Sequence, residues 1–219
     1  MTRPFAELAC PLCAAGDCRP YHRDRRRDYC QCRLCDLVFV PPAQRLTAAE
    51  EKAIYDTHRN DPKDAGYRRF LSRLFDPMCA RLAPDSRGLD FGCGPGPALA
   101  MMFEEAGHDV SLYDPFYAPD GTTLERQYDF VCATEVVEHL HAPGREIERL
   151  LTLLRPGGLL GIMTKRVIDA DAFSRWHYKN DPTHVCFFSE RTFEYLAQLH
   201  QCQLEFVAND AVILKSRVE

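Results

Sequence analysis

The chain has 219 residues, 46% hydrophobic and 27% charged, with a formal net charge of −5 and eleven cysteines. That balance belongs to a globular protein with enough apolar material for a real core, and it excludes a disordered chain. No apolar run approaches the ~18 residues of a membrane span, and Met1-Thr2-Arg3-Pro4-Phe5 lacks the apolar stretch of a secretory leader, so a cytoplasmic location with reduced thiols and no membrane partner is expected.

In chain order, residues 1–45 come first as a small module. They hold six of the eleven cysteines and 8 basic against 5 acidic residues, while the remainder holds 19 against 27. Cys10-x-x-Cys13 and Cys32-x-x-Cys35 fit a four-cysteine zinc ribbon, each pair placing two thiolates on one side of a tetrahedral ion. A segment this short cannot fold on apolar burial alone, whereas zinc coordination contributes on the order of 10 kcal/mol. With four thiolates the site is closed, so the Zn²⁺ is expected to be structural; Cys18 and Cys30 are spare and either is an alternative ligand. Pro41-Pro42 ends the module. The basic residues Arg23 to Arg27 are read as a solvated face, with contact to RNA phosphates as the alternative.

Residues 46–63 are expected to be a linker with one helical stretch. From about Asp64 to Leu82, apolar residues at three- and four-residue spacing (Tyr67, Phe70, Leu71, Leu74, Phe75, Met78) predict an amphipathic helix interrupted by Pro77. An alternation of strands and helices follows: a strand over 88–91, a helix over 97–106, a strand over 108–113, a strand over 128–133 and a helix over 143–155. Pro156-Gly157-Gly158 then predicts a tight turn into a strand over 159–164. Ser189 is the cap of a helix to His200, and 204–207 with 211–215 form a closing hairpin. Such alternation implies a mostly parallel sheet covered on both faces, with residues 64–219 as one domain.

Leu89-Asp90-Phe91-Gly92-Cys93-Gly94-Pro95-Gly96 carries the functional argument. Glycines between a strand end and a helix let a ligand approach the backbone, at the carboxyl edge where open α/β sheets bind. The loop reads G-x-G-x-G with a carboxylate before it, unlike the G-x-G-x-x-G that places pyrophosphate on a helix start. Asp90 would repel a pyrophosphate and suits a cationic ligand.

This segment resembles the class I S-adenosylmethionine (SAM) dependent methyltransferases, and further segments match in order: Asp114 at the end of the second strand, Tyr128-Asp129-Phe130-Val131, Glu135-Val136-Val137-Glu138-His139-Leu140 and Leu154-Arg155-Pro156-Gly157-Gly158. The resemblance covers roughly residues 64–215. It implies a doubly wound, mostly parallel, seven-stranded Rossmann-like α/β sheet with a C-terminal antiparallel hairpin. It also implies that Asp90, Gly92, Cys93, Gly94, Gly96 and Glu135 surround SAM and that Asp114 accepts hydrogen bonds from its ribose. Only 13 residues separate Asp114 from Tyr128, so the third strand and its helix look abbreviated. Similar cysteine knuckles precede the domain in certain rRNA and sugar methyltransferases.

Methyl transfer is an in-line displacement, in which alignment supplies ~7–11 kcal/mol and a general base only a factor of ~10²–10⁴. The catalytic candidates are His139, His184, Glu138, His177 and Tyr178. Glu135, Glu138 and His139 fall at i, i+3 and i+4, on one side of a helical turn, and the aromatic stretch from Trp176 to His184 suits an acceptor wall. Glu135, Glu138, His139 and His184 also resemble the metal site of small-RNA 2′-O-methyltransferases and ubiquinone-pathway O-methyltransferases, which implies Mg²⁺ or Mn²⁺ there; the other reading is local hydrogen bonding and packing. The acceptor is expected to be a small molecule methylated on O or N, with RNA, or a SAM-fold binding module without turnover, as the alternatives.

Overall fold

A computed structural model describes residues 8–57 and 61–217. The main sheet has six strands among the described residues: β4 (Arg87–Phe91), β5 (Asp109–Tyr113), β6 (Tyr128–Thr134), β7 (Leu154–Met163), β9 (Gln203–Ala208) and β10 (Ala211–Lys215). Their spatial order is β5-β4-β6-β7-β10-β9; the first four are mutually parallel, and β10 runs antiparallel to both β7 and β9. The expected count of seven falls to six because residues 115–127 carry only a 3₁₀ helix, Gly121–Glu125. A parallel crossover takes a dozen or more residues before its strand begins.

Helices cover both faces. On one, α2 (Ala65–Cys79) and α3 (Ala98–Glu105) pack Leu71, Leu74, Met78, Leu99 and Phe103 against Phe130 and Ile213. Gly88 makes room there, since a Cβ on it would lie 2.1 Å from the Phe130 ring. On the other face, α4 (Pro143–Thr152) and α6 (Glu190–Leu199) bury Ile147, Leu150, Phe193 and Leu196 against Val131 and Leu160. Each such side chain contributes ~1.5–3 kcal/mol on burial. Asp64 caps α2 by accepting the Tyr67 N–H at 2.6 Å, and Ser189 with Thr192 forms a capping box on α6. Pro156-Gly157-Gly158 is not a free turn: it lies inside β7, where Gly157 (φ 77°) accompanies a register shift opposite Tyr128 and Phe130.

The cysteine-rich head builds a second sheet from β1 (Cys18–Arg23), β2 (Asp28–Cys32) and β3 (Val38–Phe39), and its fourth strand comes from the far end of the chain: β8 (Cys186–Phe187) pairs Val38 with Phe187 and Phe39 with Cys186. The head and the α4/α6 face share one apolar cluster, in which Tyr29 meets Phe173 of α5 (Ala170–Arg175) edge-on at 5.1 Å and Phe173 meets Phe187 at 5.3 Å. The segment after the head contains α1 (Ala48–Tyr55), started by a Thr47/Glu50 capping box. No helix among the described residues is long and apolar enough to cross a membrane.

Candidate active site

The carboxyl ends of β4, β5 and β6 open into a cavity of about 860 Å³, within the ~300–1,000 Å³ that small-ligand sites occupy. Gly92 (φ 74°) and Gly94 (φ 62°) both take the left-handed conformation, but for different reasons. A Cβ on Gly92 would lie 2.5 Å from Val136 Cγ2, so the loop packs on the wall there; a Cβ on Gly94 would meet nothing within 4 Å, so that backbone faces open space. Asp114 holds the loop, accepting the N–H groups of Gly94 (3.1 Å), Phe116 (2.8 Å) and Tyr117 (3.0 Å). A carboxylate has about four acceptor positions, and these three bonds leave one for a ligand hydroxyl. Asp90 is buried, and that burial pushes its carboxyl up to about 7; the Ala100 backbone opposes the shift and the Asp114 charge adds to it.

At the other end, β6 gives way to Glu135 (φ 52°) and a 3₁₀ turn, Val137–His139. The helical turn expected to align Glu135, Glu138 and His139 therefore does not form, and a hydrogen-bonded cluster joins them instead. Tyr178 donates its hydroxyl to Glu138 Oε1 and lies 3.3 Å from Glu135 Oε2. Glu138 Oε2 and Glu135 Oε1 are buried with no hydrogen-bond partner among the described residues. Burial raises both carboxyls above the usual range, and it raises the Tyr178 hydroxyl as well.

The two histidines are set by backbone carbonyls. His184 Nδ1 lies 2.8 Å from the Tyr178 carbonyl and His139 Nδ1 lies 3.2 Å from that of Thr183. A carbonyl only accepts, so each Nδ1 carries a proton, and in a neutral ring the lone pair then lies on Nε2. Burial holds His184 below its ordinary pKa, against the raising effect of the Asp181 charge. The rings cross at 4.7 Å, and ligand atoms of Glu138, His139 and His184 all lie within 4.8 Å of one another.

Of the residues singled out in the sequence, Asp90, Gly92, Cys93, Gly94, Gly96, Asp114, Glu135, His139 and His184 line the cavity. Glu138 and Tyr178 sit buried just behind that wall. His177 is not brought to it: the 3₁₀ turn His177–Asn180 puts Tyr178 inside and His177 outside, where its Nε2 lies 3.3 Å from Lys165 Nζ. The expected linker hid two wall residues. Glu51 of α1 bonds His141 Nε2 at 2.7 Å, and Tyr55 meets His139 edge-on at 5.4 Å. The Thr47-x-x-Glu50 box was the signal that a helix starts there; nothing in the pattern said what it covers.

The methyltransferase-domain family matches residues 57–206. The chain belongs to that family. The domain is similar to a ubiquinone biosynthesis O-methyltransferase of Bradyrhizobium sp. (strain ORS 278), 32% identical over 47% of this chain and 47% of that one, so the matched stretch spans about half of that relative. In fold it is similar to the PH0226 protein of Pyrococcus horikoshii OT3 (TM-score 0.52, 14% identity, 76% of this chain and 99% of that one). A Burkholderia thailandensis 1,6-didemethyltoxoflavin-N1-methyltransferase, solved with 1,6-didemethyltoxoflavin and S-adenosylhomocysteine, aligns at TM-score 0.49 and 18% identity over 90% of this chain and 99% of that one.

In the head of the chain the two Cys-x-x-Cys pairs form matching knuckles. Ala14 (φ 59°) and Asp36 (φ 64°) follow the second cysteine of each pair in the left-handed conformation, and each returns its N–H to the carbonyl of the first cysteine, at 2.9 and 3.0 Å. The sulfurs of Cys10 and Cys35, and of Cys13 and Cys32, are 3.5 Å apart, and all four lie within 4.8 Å of one another. Tetrahedral zinc with ~2.3 Å bonds sets its sulfurs about 3.8 Å apart, so these residues fit that ion. Cys18 and Cys30 stand outside the group.

Proposed function

We propose that this methyltransferase transfers the methyl group of SAM to a hydroxyl of a small molecule, with a divalent cation held beside the donor by Glu138, His139 and His184. One observation carries the reading. Two imidazoles whose Nδ1 protons are fixed on carbonyls, and one buried carboxylate with an orphaned oxygen, converge at a single wall of the cavity. Imidazoles oriented through the other ring nitrogen are the usual form of metal ligands, and a buried carboxylate stays charged only with a partner. The O-methyltransferase relative supports the acceptor atom.

In this reading Asp90 and the Gly92–Gly96 backbone take the cationic methionine end of SAM, and the remaining acceptor position of Asp114 takes its ribose. Tyr178 ties Glu135 to Glu138 and so fixes the carboxylate. His184 and His139, each fixed by a carbonyl at Nδ1, are the nitrogen ligands. When bound, the cation supplies Lewis acidity that acidifies an acceptor hydroxyl. Tyr55 and Phe116, with ring centroids 6.0 Å apart on the cavity lining, supply apolar wall for the acceptor.

The test is radiolabelled methyl transfer from SAM into a cell extract split into metabolite, protein and RNA fractions, with Mg²⁺ or Mn²⁺ added or withheld. Label in the metabolite fraction that requires the cation and is lost in His184→Ala is expected. Label in RNA, or turnover indifferent to the cation, refutes the reading.

A further inference from the structure

One arginine of the basic turn between β1 and β2 is engaged inside the molecule. Arg27 is 7% exposed. Its Nη1 donates to the carbonyls of Pro182 (3.0 Å) and His184 (2.9 Å), and its Nη2 to those of Lys179 (2.5 Å) and Asp181 (2.9 Å). Arg26 Nη1 adds the Asn180 carbonyl at 3.3 Å. The turn itself is fixed by Asp24, whose Oδ1 accepts the N–H groups of Arg26 (2.7 Å) and Arg27 (2.9 Å) and whose Oδ2 accepts the Tyr29 hydroxyl at 2.8 Å. Four carbonyls of a six-residue segment thus point at one guanidinium. Without a cation between them their negative ends repel, and burial removes the water that would otherwise separate them.

That segment and Tyr178 just before it carry the site. Tyr178 bonds Glu138, the Tyr178 carbonyl sets the His184 ring, and the Thr183 carbonyl sets His139. On the far side of His184 the head holds the chain again: Val40 donates its N–H to the Val185 carbonyl at 2.9 Å, and Phe39 pairs with Cys186. His184 therefore sits between two anchors that both belong to the cysteine-rich head.

We propose that Arg27 is a positioning residue for the two imidazoles, and that the head serves the active site by fixing the 179–184 carbonyls. This rests on the cation reading above. Supports of this kind behind metal-ligating histidines change metal affinity by ~10–100-fold when removed. Lysine offers a point charge without the planar fork that reaches four acceptors, so it restores only part of the effect.

The test titrates Mn²⁺ into the full-length wild type and the variants Arg27→Ala, Arg27→Lys and Arg25→Ala, followed by electron paramagnetic resonance. Calorimetry with S-adenosylhomocysteine and thermal unfolding run in parallel. Arg27→Ala is expected to weaken Mn²⁺ binding ~10–100-fold, Arg27→Lys to fall between it and the wild type, and exposed Arg25→Ala to match the wild type. S-adenosylhomocysteine affinity stays unchanged throughout. If Arg27→Ala does not fold, Arg27→Lys carries the comparison. Wild-type Mn²⁺ affinity in the Arg27 variants overturns the inference while leaving the cation site standing. Parallel loss of both ligands with a lower Tm overturns it as well, since that is general support and not positioning. A wild type that binds S-adenosylhomocysteine but no Mn²⁺ removes the cation reading and this inference with it.

Discussion

Replacing Asp90 with asparagine should stabilise the ligand-free protein, increasingly as pH rises. Asp90 is 4% exposed, and burial lifts its carboxyl from 3.8 to about 7. Because the folded-state value is the higher one, the folded chain keeps a proton that the unfolded chain has released. The associated stability is complete below about pH 4 and is lost as pH climbs through 7. At ~1.4 kcal/mol for each tenfold change in proton affinity, the carboxylate costs the fold up to about 4 kcal/mol at pH 8 and less than half that at pH 5. Asparagine has the same shape and no charge to bury. In a domain of this size ~1 kcal/mol moves Tm by ~2–4 °C, so Asp90→Asn should melt up to ~8–16 °C above the wild type at pH 8, a gap that narrows to a few degrees at pH 5. Circular dichroism melts across that pH range measure this directly, and calorimetry should show weaker SAM binding by the same variant. A variant no more stable than the wild type at pH 8, or a gap that does not widen with pH, would mean that water reaches Asp90 and that its burial is not the cost argued here.

Three further outcomes follow from the geometry. Gly92→Ala drives a Cβ to 2.5 Å from Val136, so its Tm should drop clearly; Gly94→Ala meets open space and carries only the ~1–2 kcal/mol of a left-handed alanine, so it should lose S-adenosylhomocysteine affinity with a smaller change in Tm. Gly144→Ala places a Cβ 2.1 Å from the Leu12 carbonyl oxygen, backbone against backbone with no side chain to yield; hydrogen exchange over 8–40 should accelerate, and unchanged protection would show that head and α4 separate without cost. Elemental analysis should find one zinc per chain in the head and less in Cys32→Ser, with Co²⁺ substitution giving a tetrahedral thiolate spectrum; an octahedral spectrum would contradict the four-sulfur site.

Much of this fold was legible because its signals are local. The three- and four-residue spacing of Leu71, Leu74 and Met78 marks the buried stripe of α2, and the strands at 88–91, 108–113 and 128–133 match β4, β5 and β6 to within a residue. The abbreviated stretch after Asp114 pointed to a reduced third strand, and the lost strand is what leaves six instead of seven. The glycine loop was legible for the same reason, since φ at Gly92 and Gly94 is a property of single residues. What failed to show was long-range. Glu135, Glu138 and His139 read as a helical turn, but the packing of Val137 and the left-handed Glu135 give a 3₁₀ turn. His177 and Tyr178 are neighbours whose opposite fates depend on that same tight geometry further along. Arg27 looked like a surface charge, and only the fold brings four carbonyls from residues 179–184 around it.

The pairing of β3 with β8 sets a schedule for the nascent chain. The cysteine knuckles can close around an ion as soon as Cys35 clears the ribosome, but Val38 and Phe39 have no partner strand on their open side until Cys186 and Phe187 emerge. At ~5–20 residues per second that interval is on the order of ten seconds or more. Throughout it, an edge that is fully buried in the finished protein (Leu37, Val38, Phe39 and Val40 at 0% exposure) stands open to solvent. The head is thus made well before β8 and completed only when that strand arrives.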